Sequence, residues 1–114
     1  MAESPIQIER DNPPGLIVIS PLGDVDMSCS PVLRATLRDE QSSRPRRLIV
    51  NLTRVGYMDS SGLATLVEAM RTAKRNGTAM ILCGMNDKVR AIFEIARLHQ
   101  FFTIVDGLDQ ARQT

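Results

Sequence analysis

Histidine, cysteine and clustered glycine are scarce in this chain, and each scarcity removes a class of chemistry. The single histidine, His99, stands in an Arg97-Leu98-His99-Gln100 stretch remote in sequence from Ser61. A surface or capping role is ordinary there, and a catalytic base is not. One histidine and two cysteines cannot supply the ligand spacing of a zinc site, so no metal is expected. Cys29 lies in a polar stretch and Cys83 closes an apolar run, so they make no CxxC redox pair. A single bridge between them stays open, although reduced thiols in a cytoplasmic protein fit better. Gly15, Gly23, Gly62 and Gly77 belong to no Gly-x-Gly cluster, and no Walker lysine follows a glycine-rich loop. No cofactor is expected.

Charge and long apolar runs are lacking as well. Net charge is +1 and the basic residues are scattered, which argues against nucleic acid as a partner. The densest basic stretch, Arg44-Pro45-Arg46-Arg47, has no interleaved aromatics and reads as a solvated lead-in to a strand. No apolar run approaches bilayer-spanning length, so membrane insertion is not expected. Met1-Ala2-Glu3-Ser4-Pro5 has neither the basic nor the apolar region of a secretory signal, which favours the cytoplasm. The sequon Asn51-Leu52-Thr53 is discarded because it falls in an expected buried strand. What remains is 114 residues with 43% apolar content, enough for one domain over 1–114 with its core at about 4–110.

Local patterns then divide the chain. Residues 5–10 alternate apolar and polar like a half-exposed strand, Asp11-Asn12-Pro13-Pro14-Gly15 is a dense turn signal, and Leu16-Ile17-Val18-Ile19 is a second strand, so a hairpin is expected. Pro21 to Asp26 reads as loop, in part extended. Ser30-Pro31 opens a helix with serine as cap and Leu33 and Leu37 on one face; Asp39 and Glu40 oppose the dipole at its far end, which is expected to fray. After a linker over 41–47, Leu48 to Leu52 suits a strand covered on both faces. Leu63, Leu66, Val67 and Met70 repeat at helical spacing, with Lys74 and Arg75 in the last turn and Asn76-Gly77 as the stop. Ala79 to Cys83 is the next strand, completing a parallel βαβ unit. Asn86 caps a helix whose apolar positions are Val89, Ile92, Phe93 and Ala96; Phe101 to Val105 is a last strand, and a short tail that can form a helix follows. The expectation is an α/β fold: a mixed sheet of about five strands with helices mainly on one face.

The chemistry concentrates at Asp59-Ser60-Ser61-Gly62, a small polar loop between a strand and a helix. A helix N-terminus offers free N–H groups and a positive dipole end, so a serine there can accept a phosphate without breaking its helix. A hydrolase elbow needs Gly-x-Ser-x-Gly, whereas Asp59 and Leu63 stand at the two glycine positions around Ser61. The chain is therefore not expected to be an enzyme. Two similar loops, Asp24-Val25-Asp26-Met27-Ser28 and Gly84-Met85-Asn86, also lead into helices, and in a parallel sheet all three should gather at the carboxyl edge of the strands. Composition and spacing alone do not separate three capping turns from a functional surface.

Taken as one string, Leu22-Gly23-Asp24-Val25-Asp26, Leu48-Ile49-Val50-Asn51-Leu52 and Tyr57-Met58-Asp59-Ser60-Ser61-Gly62-Leu63 resemble the STAS family, and within it the bacterial anti-sigma factor antagonists. Asn86-Asp87-Lys88-Val89-Arg90-Ala91-Ile92-Phe93 matches too, so the likeness covers roughly residues 4 to 110. Asp24 stands where glutamate is commoner, and Met27-Ser28-Cys29 departs from the family's small or polar residues. The resemblance implies a switch. The unphosphorylated protein would bind an anti-sigma factor with serine kinase activity and release a sigma factor; phosphorylation would dissociate the complex, and a PPM-type serine phosphatase would reset it. Ser61 would be the acceptor, and Asp24, Asp26, Ser28, Asp59, Ser60, Ser61, Gly62 and Asn86 would form the partner surface. The helix N-terminus would accommodate the added charge. Two rivals stay open: a STAS scaffold in a signalling assembly or a lipid or anion transport system, and a nucleotide-binding or weakly catalytic protein. Oligomeric state is not legible.

Overall fold

The computed structural model describes residues 5–11 and 15–114; the turn expected at Asn12-Pro13-Pro14 and residues 1–4 lie outside the described residues. The chain runs β1 (Ile6–Arg10), β2 (Leu16–Pro21), α1 (Ser30–Gln41), β3 (Arg47–Asn51), α2 (Ser60–Asn76), β4 (Ala79–Cys83), α3 (Asp87–Ile95), β5 (Thr103–Val105) and α4 (Leu108–Gln113). The five strands form one mixed sheet in sequence order. β1 pairs antiparallel with β2, Ile8 opposite Ile19, which is the expected hairpin. The other pairs are parallel: Val18 lies opposite Ile49, and Ile49 opposite Ile81.

Strand periodicity sorts the side chains into two cores. Ile17, Ile19, Leu48, Val50, Met80 and Leu82 point to the face covered by α1, α2 and α3, where they meet Leu33, Leu37, Leu66, Met70 and Phe93. Val18, Ile49, Ile81 and Cys83 point to the other face, closed by α4 through Ala111. β3 is thus buried on both sides, which is why its apolar run is unbroken. Fully burying each such side chain contributes about 1.5–3 kcal/mol, offset by the entropy of ordering it. Helices lie mainly on one face, as the pattern requires.

Several boundaries differ from expectation, each for a local reason. Pro21 belongs to β2, opposite Ile6 and beyond Ile19, the last β2 residue in register with β3, so no ladder bond there needs its missing N–H. The α1 cap is Cys29 rather than Ser30, which is buried in the first turn. The far end of α1 is tied rather than frayed: Glu40 accepts two hydrogen bonds from Arg10 at 2.7 and 2.6 Å, and buried Gln41 donates to the Ala69 carbonyl at 3.1 Å. On α2 the buried stripe is Gly62, Thr65, Leu66, Ala69, Met70 and Ala73, while Leu63 and Val67 are only partly covered. α3 ends at Ile95, so Ala96 caps it from outside. β5 begins two residues late, because Phe101 and Phe102 turn inward to stack edge-on with each other, and Phe102 with Phe93, at centroid separations of 5.1 and 5.4 Å.

Candidate functional site

The carboxyl ends of the parallel strands release three loops, and backbone hydrogen bonds zip the first two together. Val25 N–H donates to the Tyr57 carbonyl at 2.9 Å and Asp59 N–H to the Val25 carbonyl at 3.0 Å, an isolated parallel bridge between Val25 and Met58. Gly23 N–H adds a third bond to the Arg54 carbonyl at 3.0 Å. The third loop joins through Asn86, whose side chain accepts from Val89 N–H at 2.8 Å while donating to the Gly56 carbonyl at 3.1 Å. Residues drawn from three loops therefore share one edge.

Two aspartates on that edge have the same local structure. Asp59 caps α2: its Oδ1 accepts from Ser61 N–H at 2.9 Å, Gly62 N–H at 3.2 Å and the Ser61 hydroxyl at 2.6 Å. Asp26 Oδ1 accepts from Ser28 N–H at 2.9 Å and the Ser28 hydroxyl at 2.5 Å, and its carbonyl takes the N–H groups of Cys29 and Ser30 ahead of α1. Short polar side chains do this because they can stand in for a backbone turn. The hydrogen bond from Ser61 is the main reason the Asp59 carboxyl sits below the usual carboxylate range, helped by N–H groups of Gly62, Ser61 and Met27. Ser28 holds Asp26 down in the same way, against the opposing charge of Asp59. Both are ionised at neutral pH, so the edge is acidic.

Ser61 is half-buried, and among the described residues its hydroxyl donates to Asp59, not to His99, which is exposed in the turn after α3. Its carbonyl accepts the Thr65 hydroxyl at 2.8 Å. The hydroxyl proton is committed to Asp59, and Ser61 lines a groove of about 550 Å³ between α1 and α2. Ser60, Asp24, Ser28 and Asn86 are exposed on the same edge. Gly62 is different: it is buried, and a Cβ there would lie 2.7 Å from Met58 Cγ and 2.8 Å from Val25 Cγ1. Its contribution is the close approach of α2 to the loop bridge.

Two apolar residues of this edge were missed from the sequence. Met27 is 76% and Tyr57 49% exposed, flanking the acidic turns. A signal was available for Tyr57: Met58 faces inward at the bridge, so its neighbour faces out. Among the described residues no group of histidine, cysteine and carboxylates could hold a metal ion, and no helix is long and apolar enough to cross a membrane. Both cysteines are free thiols.

Residues 7–111 match the model of the STAS domain family. An anti-sigma-B factor antagonist of Staphylococcus aureus is 29% identical over 87 residues, spanning 76% of this chain and 81% of its own length. An anti-sigma factor antagonist of Mycobacterium paratuberculosis superposes with a TM-score of 0.85 at 21% identity, over 95% of this chain and 90% of that one. The Bacillus cell fate determinant SpoIIAA, solved in its phosphorylated form, superposes with a TM-score of 0.74 at 22% identity, over 95% and 96% of the two chains. The two structural matches establish a shared fold.

Proposed function

This chain belongs to the STAS domain family, and from that premise we propose that it is an anti-sigma factor antagonist working in the cytoplasm as a phosphorylation-controlled binding switch. Unphosphorylated, it docks through the acidic loop edge on an anti-sigma factor that is also a serine kinase, and so frees a sigma factor. Transfer of the ATP γ-phosphoryl group to Ser61 Oγ, with ADP leaving and the hydroxyl proton lost, ends the complex. A PPM-type serine phosphatase hydrolyses the ester and restores it.

The observation that carries this reading is the Ser61 hydroxyl itself, half-buried at the start of α2, oriented by Asp59 and open to a groove beside the zipped loops. A kinase can reach it without unfolding the helix. The name of the Staphylococcus aureus relative and the phosphorylated state of SpoIIAA support the same assignment.

Energetics favour an effect on binding over an effect on folding. Phosphate adds about −1.5 to −2 charges. At the α2 amides it competes with Asp59, which accepts the Ser61 and Gly62 N–H groups in the unmarked protein. Against a partner, the mark meets an edge bearing Asp24, Asp26 and Asp59 and a complementary surface shaped for a hydroxyl. Desolvation and like-charge contact there cost several kcal/mol. A loss of ~3 kcal/mol weakens affinity roughly a hundredfold.

The test is incubation with ATP and candidate kinases of the same genome, with the phosphate located by mass spectrometry. Ser61→Ala should keep partner binding and take up no phosphate, whereas Ser61→Asp should fold and bind poorly. Binding of Ser61→Asp as tight as wild type would refute the electrostatic account.

A further inference from the structure

The groove that Ser61 faces has a cationic wall. It is lined by Ser61, Ala64, Thr65 and Glu68 from α2, and by Arg34 and Arg38 from α1. Ser61, Thr65 and Glu68 stand at i, i+4 and i+7, one stripe along the helix. α1 runs beside them in the same direction, since both helices leave the carboxyl ends of neighbouring parallel strands, and Gln41 pins the two together through the Ala69 carbonyl. Arg34 grips Glu68 with Nε 2.8 Å from Oε2 and a second nitrogen 3.2 Å from Oε1. Both side chains are more than half exposed, 59% and 51%, so this pair is weakly held. Arg38 is 72% exposed and its nearest carboxylate, Asp39, is 4.0 Å away.

We propose that the α1–α2 groove is an intramolecular seat for the phosphorylated serine, in which Arg34 exchanges Glu68 for the phosphoryl oxygens and Arg38 adds to the capture. The proposal rests on the reading of Ser61 as the acceptor and adds its receiver. Three things drive the exchange. Asp59 holds the helix-end amides and repels the phosphate from them. A dianion outcompetes the monoanion of Glu68 for a planar guanidinium fork, which suits phosphate bidentately. Distance is also modest: Glu68 lies seven residues, about 10 Å, along the axis from Ser61, and Arg34, which reaches Glu68 from the facing helix, lines the same groove as Ser61. Abandoned Glu68 is solvated and costs little. The exchange breaks and forms only hydrogen bonds, and it folds the mark down along the groove, away from Asp26 and Asp59, where a phosphatase must draw it out.

Phosphoserine placed at position 61 during translation tests this without any kinase, so a kinase that ignores Ser61 would sink the functional reading and leave this measurement intact. The phosphate's second ionisation, near pH 6 when free, is followed by phosphorus NMR, with the Arg34 Nε–H resonance as a second readout. The charged groups around it are Arg34 and Arg38 from α1, Glu68 from α2, Asp59 at the α2 cap, and Asp26 beyond Asp59. Arg34→Gln should raise that ionisation by about half a unit or more, Glu68→Gln should lower it by freeing Arg34, and the Arg34 resonance should move on phosphorylation. Unphosphorylated Arg34→Gln should melt like wild type. Coincident titration curves for wild type and Arg34→Gln, with an unmoved Arg34 signal, would overturn the proposal.

Discussion

Replacing Gly62 by alanine puts a methyl group where no space exists. Its Cβ would sit 2.7 Å from Met58 Cγ, 2.8 Å from Val25 Cγ1 and 3.3 Å from Val25 Cβ. Met58 and Val25 are 0% and 1% exposed and joined by the loop bridge, so neither can step aside freely. Alanine brings up to ~1 kcal/mol of helix propensity, less in a first turn. Overpacking a dense site costs about 1–3 kcal/mol. The difference predicts a net loss of ~1–2 kcal/mol, roughly a 5- to 30-fold fall in the folded-to-unfolded ratio. With an m-value of about 1.5 kcal/mol/M, the urea midpoint should drop by about 1 M. Because the strain falls on the contact between α2 and the β2–α1 loop, backbone shifts should concentrate at Asp26, Met27 and Ser28. In a Val25→Ala background the same change should cost less, a coupling that a double-mutant cycle isolates. A Gly62→Ala protein with an unchanged or higher midpoint would refute the packing argument, and with it the view that this glycine sets the distance between the two aspartate turns.

Two further outcomes follow from the cap geometry. Ser61→Ala removes the main cause of the low Asp59 pKa, leaving only the N–H donors, so the carboxyl should titrate higher when followed by carbon NMR. A depressed carboxyl stabilises the fold above its unfolded value of about 3.9 and loses that contribution as pH falls to the folded value. Wild type should therefore lose stability more steeply than Ser61→Ala below about pH 5, and an unmoved Asp59 midpoint would contradict the hydrogen bond. Asn86→Ala loses both the α3 cap and the bond to the Gly56 carbonyl, worth about 1–2 kcal/mol together and a melting temperature lower by about 4–8 °C. Asn86→Asp keeps the cap but not the donor, so it should recover part of the melting temperature while amide exchange across 56–59 stays fast.

Features carried by neighbouring residues were legible before any coordinates existed. The hairpin, the doubly covered β3, the Asn86 cap and the Gly77 stop, at φ +75° as its place after α2 requires, are written in periods of two and 3.6 and in side chains that reach only a few residues. The same holds for the Asp59-Ser60-Ser61 turn, whose hydrogen bonds close within three residues. Family resemblance located its serine, and the strand-loop-helix context put it at a helix start. Boundaries went astray where distant contacts intervened: Phe101 and Phe102 left β5 for an aromatic stack, and Gln41 was held by Ala69 on another helix.

Sequence by itself thus determined the order of elements and the acidic turns, because each depends on short-range sterics and local hydrogen bonding, and family resemblance singled out the candidate serine among them. Only the tertiary structure decided that Gly62 is packed rather than presented, and that Arg34 shares a groove with Ser61 from 27 positions away. Those facts arise from two helices leaving adjacent parallel strands and packing side by side, a proximity created by the sheet and invisible to any pattern along the chain.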